Sequence, residues 1–280
     1  IGAWAAMRIY QIDRKQSGVA DQAFLRSALR KLLLEYGWWA NRNDRSGDNV
    51  FEGGFLGLDN IAVFDRRFPL ADGSHIEQCD GTAWMASLSL NLLNISVELS
   101  REEPEYADIC ERFVYDYLSL ALTLNTPGSR GYVNWDEEDG FYYDELVVSD
   151  QPSIPLRIRS LVGVIPLLAV EVLDQRVIDR LPGFKARLEW FLRTRTDLAR
   201  HVSYMTERLG SDHRALRLLA VPSKERLRSV LRYITDPDEF LSPWGVRSLS
   251  LAHKEPYEFK LDGVDYKLEY EPGESRSGLF

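Results

Sequence analysis

Residues 82–99, "TAWMASLSLNLLNISVEL", decide the reading of the fold. Wound at 3.6 residues per turn, this stretch is apolar on almost every side and carries one charge, Glu98. A helix with no face to give to water is expected to be enclosed by other helices. Outward from it the same period recurs. Phe24, Leu25, Ala28, Leu29, Leu32, Leu33 and Tyr36 mark a helix that runs to Trp38-Trp39, with Asp21 as its N-cap. Pro104 stands where a first-turn proline belongs and predicts a helix over 106–124. Further helices are read at 161–173, 182–192, 223–234 and 243–252. Two segments carry a strand pattern instead. Residues 132–159 alternate at Phe141, Tyr143, Leu146 and Val148, and 257–270 read as a hairpin turning at Asp262-Gly263. Long helices joined by long irregular loops predict one helical domain whose loops carry the function.

Composition narrows the function. With 280 residues, 45% of them hydrophobic, the chain can bury a large core. A net charge of −9 argues against nucleic acid as a partner, since phosphate binding needs a concentrated cationic face. The Arg-rich segment 187–232 interleaves Arg with Leu and Asp and is read as a solvated helical face. The longest apolar run, 161–173, is shorter than the ~20 residues a membrane helix needs. Cys79 and Cys110 match no metal spacing and are read as buried free thiols. His75, His201, His213 and His253 are scattered, and there is no phosphate-binding Gly loop, His-Glu-x-x-His or Gly-x-Ser-x-Gly. Neither a metal nor a cofactor is expected. The ends, Ile1 without a Met and Gly278-Leu279-Phe280 without a polar tail, predict an internal fragment, and a cytoplasmic location is expected.

What remains is chemistry built from carboxylates and aromatic rings. Seven Trp and thirteen Tyr can stack on the apolar faces of sugars, and carboxylates accept hydroxyl protons. In "EGGFLGLDN", residues 52–60, Asp59 sits among Phe55, Leu58 and Ile61 in a Gly-rich loop. Apolar neighbours raise a carboxyl pKa and so make a general acid, though a turn or an N-cap explains an Asp-Asn pair equally well. "EQCDGTAWMA" sets Gln78 and Asp80 at the mouth of the enclosed helix, where Asp80 or Thr82 can cap it or Gln78 and Asp80 can bind hydroxyls. "NWDEEDGFYYD" mixes five carboxylates with four aromatic rings, and Glu138-Asp139-Gly140 reads as an acidic hairpin turn. "SPWGVRSLS" and "YEPGESRSGLF" each pair an Arg with aromatic and small residues.

Six stretches in order, "FEGGFLGLDNIAVFDR", "EQCDGTAWMASLSLNLL", "WDEEDGFYYD", "RIRSLVGVIPLLAVEVL", "LPGFKARLEWFL" and "YEPGESRSGLF", resemble bacterial proteins of glycoside hydrolase family 63. These are glucosidases and mannosylglycerate hydrolase-like proteins, and the resemblance covers nearly the whole chain. It implies an all-α fold, an (α/α)6 barrel incomplete in this chain, with residues 1–280 forming the central part of one catalytic domain. It implies an inverting α-glycosidase, α-glucosidase-like, with no cofactor and a carbohydrate as its partner. Gly57-Leu58-Asp59-Asn60 matches the family's Gly-x-Asp-Asn segment, whose Asp is the general acid, and trehalases carry a related Gly-x-Asp. Gln78 and Asp80 match a segment lining the sugar subsite. Trp135, Asp136, Glu137, Trp244 and Arg247 fall on loops expected to face the cleft. Inversion needs a second carboxylate, which the resemblance places C-terminal to residue 280; within the chain Glu274 and Glu137 are candidates by sequence proximity alone. A carbohydrate-binding or scaffold protein without catalysis is the second reading. A sugar epimerase, which would want catalytic His residues, is the third.

Overall fold

The computed structural model describes residues 1–41, 49–51, 61–66, 70, 73–127, 133–148, 152–194, 196, 203–209, 214–261 and 263–272. Among these, the helices are α1 (Gly2–Ser17), α2 (Gln22–Ala40), α3 (Cys79–Leu99), α4 (Ala107–Asn125), α5 (Gln175–Asp179), α6 (Pro182–Thr194) and α7 (Lys224–Thr235). Short 3-10 helices occupy Pro104–Tyr106, Leu161–Leu168 and Leu251–Lys254. The strands are β1 (His75–Glu77), β2 (Trp135–Asp136), β3 (Phe141–Tyr142), β4 (Asp144–Val147), β5 (Ile154–Leu156), β6 (Val170–Asp174), β7 (Ser203–Leu209), β8 (Arg214–Ala220), β9 (Leu241–Ser242), β10 (Gly245–Val246), β11 (Tyr257–Leu261) and β12 (Val264–Leu268). They form five small antiparallel sheets: β1-β4-β5, β6-β8-β7, β2-β3, β9-β10 and β11-β12.

The all-α (α/α)6 expectation is therefore corrected to a mixed α and β architecture. Segment 161–173, expected as a helix, is a 3-10 turn containing Pro166 followed by strand β6. Segment 243–252 holds the end of a hairpin and the start of another 3-10 turn. Within the Arg-rich stretch read as a helical face, β7 and β8 pair in register from Ser203↔Ala220 to Leu209↔Arg214. The physical reason is common to all three. Short apolar runs and interleaved Arg-Leu patterns fit a period of 2 as well as one of 3.6, and tertiary pairing decides between them.

Contacts divide the chain into two compact units, one of Ile1–Asn43, Ala83–Leu122 and Leu168–Ser223, the other of Asp44–Thr82, Thr123–Leu167 and Lys224–Phe280. In the first, Asp21 caps α2 by accepting from the Phe24 N–H at 2.8 Å, as its position predicts. The enclosed helix is as its composition demands: Leu90, Leu92, Leu93, Ile95 and Leu99 have no exposed surface. Its one charge is buried but partnered. Glu98 accepts from the Tyr10 hydroxyl at 3.0 Å and from Arg14 at 2.9 Å. Burial and this carboxylate push the Tyr10 hydroxyl up to about 12. No helix of the described residues is long and apolar enough to cross a membrane. Cys79 and Cys110 are buried free thiols, in line with the sequence.

In the second unit β4 is buried along its length, and its Glu145 stands opposite the buried Glu77 of β1. Burial raises the Glu145 carboxyl to about 7, with the charges of Asp144 and Asp136 adding to it and a Ser153 hydrogen bond opposing. A folded pKa above the unfolded 4.5 means the folded state holds the extra proton between those values. Stability is then lost as pH rises through this window, by about 3 kcal/mol once Glu145 is charged. Glu145→Gln is expected to stabilise the protein by up to about that amount at pH 8 and by almost nothing at pH 4. Chemical denaturation at the two pH values checks this, and an equal effect at both would refute it.

Candidate functional site

The site is best built from α7 outward. In "KERLRSVLRYIT" the positions Arg226, Val230 and Tyr233 share one helical face, and Arg226 and Val230 are buried. A cation at a core position must find partners there. The Arg226 guanidinium lies over the Trp135 ring, 4.6 Å from its centroid. It donates to the side-chain and backbone oxygens of Asn125 at 2.7 and 3.2 Å, and to Glu137 at 2.6 Å. Tyr233 donates its hydroxyl to the Asp139 carbonyl at 2.6 Å. Gly140, at φ 65°, closes the β2–β3 turn, and a Cβ there would stand 2.2 Å from the Ser229 hydroxyl. Glycine thus serves both the left-handed turn and its seating on α7. Behind the hairpin, a Cβ at Gly163 would meet the Tyr142 carbonyl at 2.2 Å, which lets the 3-10 turn close on β3.

Asp136 is the device that shapes this hairpin. Its carboxylate accepts from the Glu138 and Asp139 amides at 2.9 and 2.8 Å and pairs with Arg157 at 2.9 Å. The acidic turn at 138–140 is as read from the sequence. Trp135 is 4% exposed, and its indole N–H finds no acceptor among the described residues. The Glu137 side chain, in contrast, is 78% exposed.

The β9–β10 hairpin also rests on α7, through the Phe240 amide to the Tyr233 carbonyl at 3.3 Å and the stacking of Phe240 on Phe141. Ser242 ties its turn, accepting from the Trp244 amide at 3.2 Å and donating to the Gly245 carbonyl at 2.8 Å. Arg247 donates to the carbonyls of Pro237, Glu239 and Leu241 and so holds the loop's backbone. Trp244 stands at the tip, 95% exposed. Hence α7 gathers Trp135, Asp136, Glu137, Trp244 and Arg247 onto two hairpins. Of these five, Glu137 and Trp244 present their side chains to solvent.

Gln78 and Asp80 belong to a different cluster. Arg66, with a fully buried side chain, pairs with Asp80 and with Asp144 of β4. Asp144 also accepts from the Cys79 amide at 3.0 Å, so α3 is capped by a strand 65 residues away in sequence. Burial and the Asp144 charge raise the Asp80 carboxyl, against the pull of Arg66. Gln78 donates to the Arg66 carbonyl at 2.8 Å, and its other amide atom, Oε1, is buried without a partner among the described residues. Such an orphaned acceptor calls for an explanation, and a bound ligand is one.

Asp59 and Glu274 lie outside the described residues. Ile61 and Ala62, just after Asp59, line a cavity of about 10 Å³ together with Tyr142, Tyr143 and Asp144. That is room for one water. In the first unit a groove of about 640 Å³ between α4 and α6 is lined by Tyr115, Trp190 and the Glu111–Arg187 pair, and it includes none of the residues expected from the sequence. No group of His, Cys, Asp or Glu among the described residues is placed to hold a metal ion.

Sequence reasoning missed Arg66, Asp144, Asn125 and Arg226. For Arg226 there was a signal, a charge on the apolar stripe of an amphipathic helix. No known family model matches the chain. It is 43% identical over 293 residues to Uncharacterized protein YMR196W of Saccharomyces cerevisiae, a match that takes in 100% of this chain and 27% of the yeast protein, so the chain spans about a quarter of that relative's length.

Proposed function

We propose that the protein is a glycoside hydrolase acting on α-linked sugars by single displacement with inversion, working in the cytoplasm. One structural observation carries the reading forward from the motif resemblance. Two hairpins mounted on one helix offer solvent an aromatic ring, Trp244, and a carboxylate, Glu137. The indole suits the apolar face of a pyranose, and the carboxylate accepts its hydroxyl protons. Asp59 gives a proton to the leaving oxygen, while a second carboxylate, ~6.5–9.5 Å away, directs water to the opposite face.

The test is to incubate the protein with maltose, nigerose, kojibiose and trehalose and follow the released sugar by NMR. Inversion yields the β-anomer first; the α-anomer first would overturn the mechanism. Trp244→Ala should raise KM about tenfold (~1.4 kcal/mol) with the thermal midpoint unchanged, because so exposed a ring supports no core. An unchanged KM would remove Trp244 from the site.

A second reading, carbohydrate binding without hydrolysis, is favoured by one observation. Asp80, Asp136, Asp139 and Asp144 all serve ion pairs or hydrogen bonds that shape the fold. Sugar binding without any released product selects that reading, and neither binding nor release rules out both.

A further inference from the structure

Two buried arginines of the second unit are neutralised in opposite ways. Arg66 meets Asp80 and Asp144, whose side chains are 0% and 7% exposed, so the charges are sealed off together. The Arg226 side chain is also buried, with 7% exposed, yet its carboxylate partner Glu137 is 78% exposed. A surface ion pair ordinarily fixes neither partner, because both chains move and water screens them. Here one partner cannot move. The face of the Arg226 guanidinium is on Trp135, and one of its terminal nitrogens is held by Asn125. Asn125 Oδ1 is itself fixed by the Tyr142 hydroxyl at 2.9 Å, and the Tyr142 ring stands edge-on to Trp135 at 4.8 Å. The other terminal nitrogen grips Glu137 Oε1 at 2.6 Å. Glu137 Oε2 receives no hydrogen bond from a described residue. An acceptor is thereby presented to solvent in one orientation, its ordering cost met before any ligand arrives.

We propose that Arg226 is a positioning residue and that Glu137, which it holds, is the acceptor for one hydroxyl of the bound sugar. This deepens the glycoside reading above and rests on it. Asn125 and Tyr142 complete the mount, so four side chains from three parts of the chain serve one carboxylate oxygen. The sugar hydroxyl donates to Oε2 while Oε1 stays on Arg226. Bound in this way, the carboxylate discriminates between a sugar that has that hydroxyl and a deoxy analogue that lacks it.

The experiment uses the full chain, with maltose, nigerose, kojibiose and trehalose as probes, and reads Kd or KM, kcat and the thermal midpoint. Glu137→Gln keeps an oxygen for Arg226 but places an amide where Oε2 stood. It should weaken binding or raise KM about 10- to 100-fold, the range for a lost hydrogen bond to a charged group, with the midpoint almost unchanged. Arg226→Lys should show a smaller loss of affinity than Arg226→Met, since the ammonium restores the charge without the fork. Monodeoxy analogues of the best probe provide the control. One deoxy position should cost the wild type about tenfold and cost the Glu137→Gln variant nothing further. If Glu137→Gln shifts the midpoint and leaves KM and Kd alone, Glu137 is only a counter-ion and the proposal falls. Where the wild type binds and cleaves none of the four probes, the glycoside reading falls and takes this proposal with it.

Discussion

Asp59→Asn is expected to lower turnover of α-linked disaccharides by about 10²- to 10⁴-fold, the range general acid catalysis supplies. The amide is isosteric and keeps a hydrogen bond to the glycosidic oxygen, but it has no proton to give at neutral pH. Affinity should therefore hold while kcat collapses, the signature of an interaction made only in the transition state. The substrate can distinguish a proton donor from a residue that merely shapes the loop. A sugar leaving as an alcohol needs its oxygen protonated, whereas fluoride leaves without help. On α-glucosyl fluoride the variant should come close to the wild type. The alkaline limb of the pH profile, set by ionisation of the acid, should also vanish. Equal losses on disaccharide and fluoride would assign Asp59 to structure, and wild-type turnover of both would end the assignment.

Elements whose pattern is local were legible in the sequence. The enclosed helix α3 needs only its own composition, and the β11–β12 hairpin needs only alternation and a turn, with Gly263 at φ 80°. Asp21 capping α2 is a contact three residues long. What stayed hidden is non-local. The cap of α3 comes from Asp144, and no pattern within 79–99 announces it. The apolar run at 161–173 looks helical until β8 claims its second half, pairing Val170 with Ala220. Arg247 reads as a cleft residue from its neighbours Trp244 and Gly245, yet three carbonyls occupy it. In each case the deciding partner lies elsewhere in the chain or on the backbone, where residue type leaves no mark.

The same holds for the Trp135–Glu137 region. Its carboxylates look alike in "WDEED", but the fold gives them different work. Asp136 folds the turn, Asp139 receives the Tyr143 hydroxyl at 2.7 Å, and Glu137 alone is held outward by a buried base. Composition could list these acids, and only geometry could say which of them faces solvent. His253 makes the same point from the opposite side. Burial and the nearby Arg159 lower its pKa to about 4, and its ring accepts from the Arg159 amide at 2.9 Å. A histidine near a site motif is open to a catalytic reading, but this one, outside the motifs, is a neutral acceptor that joins two loops.

Arg66→Met is expected to destabilise the protein by about 3–5 kcal/mol at pH 8, the cost of breaking a buried ion pair by removing one partner. Arg66 lies 3.2 Å from Asp80 Oδ2 and 2.9 Å from Asp144 Oδ2, so methionine would leave two carboxylates buried without their cation. Each retains one amide, Gly81 for Asp80 and Cys79 for Asp144, which softens the loss but cannot balance two negative charges. Burial already raises the Asp80 carboxyl with Arg66 in place. Without Arg66 the Asp80 carboxyl should rise further above its unfolded value. Protonation then relieves the variant as pH falls, so the deficit should shrink between pH 8 and pH 5. Adding Asp80→Asn to Arg66→Met should recover part of the loss, because one of the two stranded charges is gone. Denaturation of the four proteins of this cycle at both pH values measures all three effects. A deficit under about 1 kcal/mol at pH 8, or one that grows at pH 5, would mean that Arg66 is not what allows Asp80 and Asp144 to be buried together at the start of α3.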